Sequence, residues 1–319
     1  MSRGSSQAVV AAVVLALAGS PVWADAFELP LPAGVTRHRD LVYARGAKGP
    51  LTLDVYRPEH ADGLRPVLLF FHGGGWIAGS KHDALPEIYA GPVQAGDRRW
   101  PSMLPYLERG LAVVSPDYRL AAEAPAPAAV EDCRRSLEWI SAHGAEYGLD
   151  AARVVTIGAS AGGHLALMVA FGPGRVLGAI DLYGITDVAA LLAPPAARPW
   201  AIEWIGPAPE AGDRARRVSP LSLVRRGLPP VLIVHSDVDD VVPYEQAERL
   251  ARALRDAGVE MELVTFPGAV HGFFTPAERE RLAASVTAFL KRLGLLTDRP
   301  DGGGGSSQQQ HGGERQQAR

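Results

Sequence analysis

Short apolar runs recur along the chain, and segments of helical periodicity separate the later ones. Six of these runs are continuous, which is typical of strands buried on both faces of a parallel sheet. They are predicted as strands at Pro66–Phe71, Leu111–Ser115, Arg153–Ile157, Leu177–Leu182, Val231–Val234 and Met261–Phe266. An earlier pair, Leu41–Tyr43 and Leu51–Tyr56, alternates apolar and polar residues and predicts an antiparallel hairpin at the sheet edge.

The intervening segments place apolar residues three or four positions apart, the spacing of one helix face. Two such series are Val130, Cys133, Leu137 and Ile140, and Ala247, Leu250 and Leu254. The last helix is predicted to begin at Thr275–Glu278, where a capping box is combined with proline at the first helical position. Strands that alternate with helices in this way predict an α/β fold with a mostly parallel, doubly wound sheet.

Both ends of the chain differ from this body. Residues 1–24 combine Arg3, a short apolar stretch from Ala8 to Ala18 and a small-x-small site at Val22–Ala24, which predicts a signal peptide and a periplasmic or secreted protein. An uncleaved anchor is the alternative, but the stretch is short for a bilayer. Residues 301–319 are rich in Gly, Ser and Gln and predict a disordered tail. One domain is therefore expected over residues 25–300, with its packed part roughly from Glu28 to Leu296.

Composition narrows the possible partners. The net charge of the 319 residues is −3 and no basic cluster stands out, so a nucleic-acid partner is not expected. No apolar run after the N-terminal segment is long enough for stable membrane insertion. Cys133 is the only cysteine, which excludes an intramolecular disulfide and metal sites that need paired cysteines. No metal and no cofactor are expected, and the oligomeric state stays open.

The strongest chemical signal is Gly158-Ala159-Ser160-Ala161-Gly162, which follows a predicted strand and precedes a helical pattern. A nucleophile on a sharp strand-to-helix turn needs small neighbours, because its backbone is strained and crowded. The helix N-terminus also favours a developing negative charge. Ser160 is therefore the predicted nucleophile. The alternative is a glycine-rich turn that only allows close packing of strand and helix.

A second signal, His72-Gly73-Gly74-Gly75-Trp76, follows the first core strand. Acyl transfer builds negative charge on a carbonyl oxygen, and preorganised backbone N–H groups must meet that charge. Glycines let the backbone approach closely. The N–H groups of Gly74, Gly75 and Ala161 are the predicted oxyanion-hole donors, whereas His72 is expected to fix the loop by hydrogen bonding.

A serine nucleophile needs a base, and the base needs an orienting carboxylate. In α/β-hydrolases the chain order is serine, acid, histidine. His271 follows the last predicted strand and is the candidate base. Asp237, Asp239 and Asp240 follow the strand that ends at Val234, and all three compete for the role of the acid.

Together these motifs resemble the α/β-hydrolase esterases related to hormone-sensitive lipase, and more closely the group typified by bacterial acetylxylan and feruloyl esterases. The resemblance extends from about Val42 to Leu293 and includes Asp117–Leu120, Asp239-x-x-Val242-Pro243 and His271-Gly272-Phe273. It implies an α/β-hydrolase fold with a small helical lid over 187–221, serine carboxylic-ester hydrolysis, and Asp239 as the acid. Ser236 stands where relatives usually carry glycine.

The substrate is less well indicated. Trp76, Trp100 and Trp204 are candidate substrate-binding residues, since tryptophan stacks on sugars or aryl groups, although filling the lid core is the alternative role of the lid tryptophans. The long stretch 82–103 is expected to border the pocket. Short-chain acyl or aryl esters, such as acetylated or feruloylated carbohydrate, are the expected substrates. Two alternatives stay open. One is a serine peptidase or arylformamidase with the same triad, and the other is a non-catalytic binding protein on this fold.

Overall fold

The computed structural model describes residues 31–59, 63–85, 102–207, 209–272 and 275–296. The predicted signal peptide, the predicted tail, Trp100 and most of the stretch 82–103 lie outside these residues. The domain boundaries at 25 and 300 therefore stay predictions. Within the described residues, no helix is long and apolar enough to cross a membrane.

The centre of the fold is one sheet of eight strands in the order β1-β2-β4-β3-β5-β6-β7-β8. β1 pairs with β2, and β2 with β4, in antiparallel register, whereas β3 to β8 run parallel to one another. The strands are β1 (Val35–Gly46), β2 (Gly49–Pro58), β3 (Arg65–Phe71), β4 (Ala112–Pro116), β5 (Leu149–Ala159), β6 (Gly178–Leu182), β7 (Val231–Ser236) and β8 (Met261–Phe266). The predicted α/β fold with an antiparallel edge hairpin is confirmed.

Seven α-helices among the described residues connect or cover these strands. They are α1 (Leu104–Leu107), α2 (Ala128–His143), α3 (Ala161–Ala170), α4 (Pro199–Ile205), α5 (Ala211–Arg217), α6 (Glu245–Asp256) and α7 (Pro276–Arg292). The predicted capping box begins α7: the Thr275 hydroxyl accepts from Glu278 N–H at 3.3 Å, and the Glu278 carboxylate accepts from Thr275 N–H at 2.7 Å. Helices α4 and α5 lie between β6 and β7, in the segment predicted as a lid.

Both faces of the central strands are buried, as the continuous apolar runs predict, whereas the edge strands β1 and β8 are partly exposed. In β3, Val67, Leu69 and Phe71 belong to the core cluster that contains α2 and α3, whereas Leu68 and Phe70 belong to the cluster that contains α7. All five side chains are at most 4% exposed. The sheet is therefore a rigid platform whose carboxyl-terminal edge carries the loops after β3, β5, β7 and β8.

The closest packing in this platform occurs where α3 meets β3 and β5. A Cβ atom on Gly162 would lie 2.0 Å from the Phe71 carbonyl oxygen, and one on Gly158 would lie 2.3 Å from the Gly162 carbonyl carbon. These separations are far below van der Waals contact and the obstructing atoms are backbone. Glycine is therefore required at both positions for the turn after β5 to form.

We predict that Gly162→Ala lowers the free energy of unfolding by more than about 2 kcal/mol, because the added methyl group overlaps the β3 backbone. Gly212→Ala is the matched control, since a Cβ there lies 3.9 Å from its nearest neighbour on the exposed helix α5. The control is expected to leave stability unchanged or raise it by up to about 1 kcal/mol. Urea unfolding measures both, and equal effects would contradict the steric explanation.

Candidate active site

Ser160 lies on the turn between β5 and α3. Its backbone has φ 56° and ψ −118°, a region that L-residues rarely occupy, and its N–H donates to the Leu182 carbonyl at 2.8 Å. Its carbonyl accepts from the His164 N–H at 3.1 Å, so Ser160 joins the end of the sheet to the first turn of α3. Ser160 is 6% exposed, so little of the residue is open to solvent.

The structure brings Ser160, His271 and Asp239 together from three separate loops. His271 Nε2 lies 2.9 Å from Ser160 Oγ, and His271 Nδ1 lies 2.6 Å from Asp239 Oδ2. Both distances are those of hydrogen bonds. The imidazole therefore links the hydroxyl to the carboxylate in the arrangement that makes serine a nucleophile.

The carboxylate of Asp239 is fixed on both oxygens. While Oδ2 faces His271, Oδ1 accepts from the N–H groups of Val241 and Val242, each at 2.9 Å. Burial alone would raise the pKa of Asp239, but the charge of His271 and the hydrogen bond to it, together with smaller contributions from His235 and the Val242 N–H, hold the pKa below its usual value. Asp239 is therefore ionised at neutral pH.

The two competing carboxylates have other positions. Asp237 is exposed and accepts from the Gly268 N–H at 2.8 Å. Asp240 is also exposed, and helix α6 begins after Tyr244 without a side-chain cap, so the Asp240 carboxylate does not cap that helix. Of the three carboxylates, Asp239 is the one that bonds the base.

The glycine loop after β3 lies against the nucleophile. An ideal Cβ on Gly73 would lie 3.7 Å from Ser160 Cβ and 3.0 Å from the Ala159 carbonyl oxygen. Gly74 and Gly75 have φ of 98° and 60°, values that favour glycine. Among the described residues, neither glycine N–H donates to a protein acceptor, which leaves both groups available as oxyanion donors. Gly73 thus brings the loop beside Ser160, and the oxyanion role of Gly74, Gly75 and Ala161 stays a prediction.

Two aromatic rings support this loop. His72 Nδ1 contacts the Gly73 carbonyl at 2.9 Å, and the Tyr118 ring stacks on the imidazole with centroids 4.1 Å apart. The Tyr118 hydroxyl donates to the His72 carbonyl at 3.0 Å. The structure therefore places His72 where a loop-fixing residue is expected. Tyr118 lies within the Asp117–Leu120 motif, but only the geometry reveals its contribution.

The expectation that Trp76 and Trp204 bind substrate is wrong for this structure. Both side chains are completely buried, and their rings stack on each other at 4.0 Å with an interplanar angle of 11°. Trp200 and His164 pack on the same cluster. The ring faces are therefore occupied by protein, and the cluster joins the lid helix α4 to the glycine loop. The third candidate, Trp100, lies outside the described residues.

His235, at the end of β7, is a further residue of the site that the motifs did not reveal. Its Nε2 contacts the Val242 carbonyl at 2.9 Å and lies 3.5 Å from Asp239 Oδ2. Burial lowers the pKa of His235, partly opposed by the charge of Asp239. A neutral imidazole thus lies beside the same Asp239 oxygen that bonds His271. The signal in the sequence was a polar residue at the carboxyl end of a buried strand.

Comparison with known proteins identifies the family of the chain. The BD-FAE family model matches residues 53–254, which is more than half of the chain. The chain belongs to the BD-FAE family. Two curated relatives from Mycobacterium tuberculosis are the esterase LipQ and the carboxylic ester hydrolase LipN, each 30% identical to the chain. The alignment covers 79% of this chain and 61% of LipQ, and 84% of this chain and 69% of LipN.

A solved structure also matches this BD-FAE protein. The thermophilic esterase Est2 from Thermogutta terrifontis is 26% identical, with a TM-score of 0.65, and the match covers 84% of this chain and 96% of Est2. The same esterase has been solved with butyrate bound and after phosphorylation by paraoxon. The chain therefore has the α/β-hydrolase fold and belongs to a family of carboxylic ester hydrolases.

We predict that Asp239→Asn lowers kcat for p-nitrophenyl acetate about 10⁴-fold, because the amide no longer stabilises the charged imidazole or holds its tautomer. Asp240→Asn is the matched control, since that carboxylate is exposed and does not bond His271. Its kcat is expected to stay within about two-fold of the wild type. The assignment of the acid is refuted if the large loss follows Asp240→Asn instead.

A second prediction concerns His164, which is completely buried and whose Nε2 contacts the Val218 carbonyl at 2.6 Å. Burial lowers the pKa of His164 from 6.5 to about 4. The unfolded chain therefore binds a proton between pH 6.5 and 4 that the folded chain does not, and stability falls as the pH falls through this window. The shift corresponds to about 3 kcal/mol lost by pH 4.

His164→Gln removes this proton linkage while keeping a side-chain donor for the Val218 carbonyl. The variant is expected to be less stable than the wild type at pH 7, yet to lose less stability on acidification to pH 4.5. Urea unfolding of both proteins at the two pH values measures the difference. Parallel losses in wild type and variant would show that His164 does not contribute to acid sensitivity.

Proposed function

We propose that the protein hydrolyses short-chain acyl or aryl esters, such as those of acetylated or feruloylated carbohydrate, through an acyl-enzyme on Ser160. The observation that carries this proposal is the chain of hydrogen bonds from Asp239 through His271 to Ser160. The adjoining glycine loop supplies donors for an oxyanion. Family membership supports the ester bond over the amide bond of a peptidase or arylformamidase.

In the first half-reaction, Ser160 Oγ attacks the carbonyl carbon of the ester while His271 Nε2 accepts the hydroxyl proton. The negative charge moves to the carbonyl oxygen, where the N–H groups of Gly74, Gly75 and Ala161 stabilise it. The C–O bond to the alcohol then breaks, and the imidazolium donates its proton to the departing oxygen. Asp239 stays ionised throughout and stabilises the positive imidazole.

In the second half-reaction, water takes the place of the alcohol. His271 accepts a proton from the water as the water oxygen attacks the acyl carbon. A second oxyanion forms and is stabilised by the same three N–H groups. The bond to Ser160 Oγ breaks, the proton returns to Oγ, and the carboxylic acid leaves. The protein is restored with no net change in protons on the triad.

A small acyl group is supported by the surroundings of the nucleophile. Ser160 and His271 are only 6% and 7% exposed. Trp200 lies beside the glycine loop, where its side chain would come within 3.3 Å of a Cβ atom on Gly75. The related esterase Est2 has been solved with butyrate and with propionate bound. Because Trp76 and Trp204 are buried, recognition of the alcohol portion falls to other residues.

We further propose that the protein acts in the periplasm or outside the cell, where acetylated or feruloylated polysaccharide would be accessible to it. This proposal is supported by the charged, apolar and small-residue pattern of residues 1–24.

The test is a substrate panel with acetate, butyrate and decanoate p-nitrophenyl esters, a methyl ferulate, acetylated xylan and a peptide p-nitroanilide. We expect kcat/KM to be highest for the acetyl or butyryl ester, to fall for decanoate, and to be negligible for the anilide. Ser160→Ala should lower ester turnover by about 10⁴-fold or more. Retained turnover in Ser160→Ala would overturn the acyl-enzyme, and faster cleavage of the anilide would overturn the ester assignment.

A further inference from the structure

The acid and the base of the triad are carried by two neighbouring loops that begin where the sheet ladder ends. The last paired residues of β7 and β8 are Ser236 and Phe266. Residues 237–243 then form the loop that holds Asp239, and residues 267–272 form the loop that holds His271. Beyond the ladder, the distance between acid and base is set by contacts between these two loops.

One of these contacts is made by the Ser236 side chain. Ser236 Oγ donates to the Ala269 carbonyl at 2.5 Å and accepts from the Val238 N–H at 3.3 Å. Ser236 is 5% exposed and Ala269 is 2% exposed, so solvent does not compete strongly for this bond. The hydroxyl thus ties the start of the acid loop to a carbonyl two residues before His271.

A second contact runs in the opposite direction. The Gly268 N–H donates to Asp237 Oδ1 at 2.8 Å, but this carboxylate is exposed. Water can replace an exposed hydrogen bond at little cost, whereas a buried carbonyl that loses its donor remains unsatisfied. The buried bond from Ser236 is therefore the one expected to dominate the placement of the base loop.

We propose that Ser236 is a positioning residue for the catalytic base. Its hydroxyl holds the base loop against the end of β7 and so keeps His271 Nε2 within hydrogen-bond reach of Ser160 Oγ. The side chain touches neither the substrate nor the reacting atoms. The inference rests on the proposed esterase function, because kcat is its readout. Small misplacement of a catalytic group is sufficient to slow the chemical step about 10²-fold.

The test uses Ser236→Ala and Ser236→Gly, which both remove the hydroxyl, and Ser236→Thr, which retains one. With p-nitrophenyl acetate, kcat is expected to fall about 10- to 100-fold in the first two variants while KM changes by less than about two-fold. The rate of labelling of Ser160 by a fluorophosphonate probe should fall in parallel. Ser236→Thr is expected to recover most of the loss in both measurements.

Thr265→Val is the matched control. Thr265 Oγ1 lies 2.5 Å from the Tyr244 hydroxyl, so the variant removes a hydrogen bond of the same length at the end of the same strand pair. Neither side chain of that bond is hydrogen-bonded to Asp239 or His271. Thermal unfolding measures the stability loss of both variants, and only Ser236→Ala should lose kcat. All assays are run well below the lowest midpoint, so that every variant is folded.

The outcomes separate this inference from the proposed function. If Ser236→Ala and Ser236→Gly keep kcat within about two-fold of the wild type while Ser160→Ala is inactive, Ser236 is not a positioning residue but the esterase mechanism stands. An equal loss of kcat in Thr265→Val would assign the effect to general destabilisation and overturn the inference. Retained turnover in Ser160→Ala would overturn the proposed function itself.

Discussion

The candidate active site depends on the two hydrogen bonds of the His271 imidazole. One ring must reach a hydroxyl that follows β5 and a carboxylate that follows β7, and it is itself carried after β8. Parallel strands make this convergence possible, because their carboxyl ends lie at one edge of the sheet. The buried apolar faces of β3 and its neighbours hold that edge rigid. The core is thus what fixes the distances on which proton transfer depends.

Much of this arrangement could be predicted from the sequence. Continuous apolar runs identified the six parallel strands, since strands covered on both faces leave few polar positions. Gly158 and Gly162 around Ser160, and the position of His271 after the last strand, predicted a nucleophile and a base that the structure places within hydrogen-bond distance. These inferences succeed because each depends on local sequence: a crowded turn, a strand end or a cap such as that at Thr275.

Other features depend on tertiary contacts and could not be predicted in the same way. Asp237, Asp239 and Asp240 lie within four residues, and their roles differ only in the direction that the loop gives each carboxylate. Trp76 and Trp204 are of the residue type that stacks on sugar rings. Whether they are exposed, however, depends on how α4 packs on the glycine loop. Burial of a whole aromatic cluster is a property of the assembled lid and has no local signature.

The left-handed backbone of Ser160 has a broader consequence. A non-glycine residue with φ 56° is held there by its surroundings at an energetic penalty, and the Leu182 carbonyl and the adjoining glycines supply that restraint. Glycine would adopt this backbone with less strain than serine, but glycine lacks the hydroxyl group that the proposed mechanism needs. Substitutions that relax this turn are expected to raise thermal stability but to lower turnover. Stability and activity therefore place opposite demands on position 160.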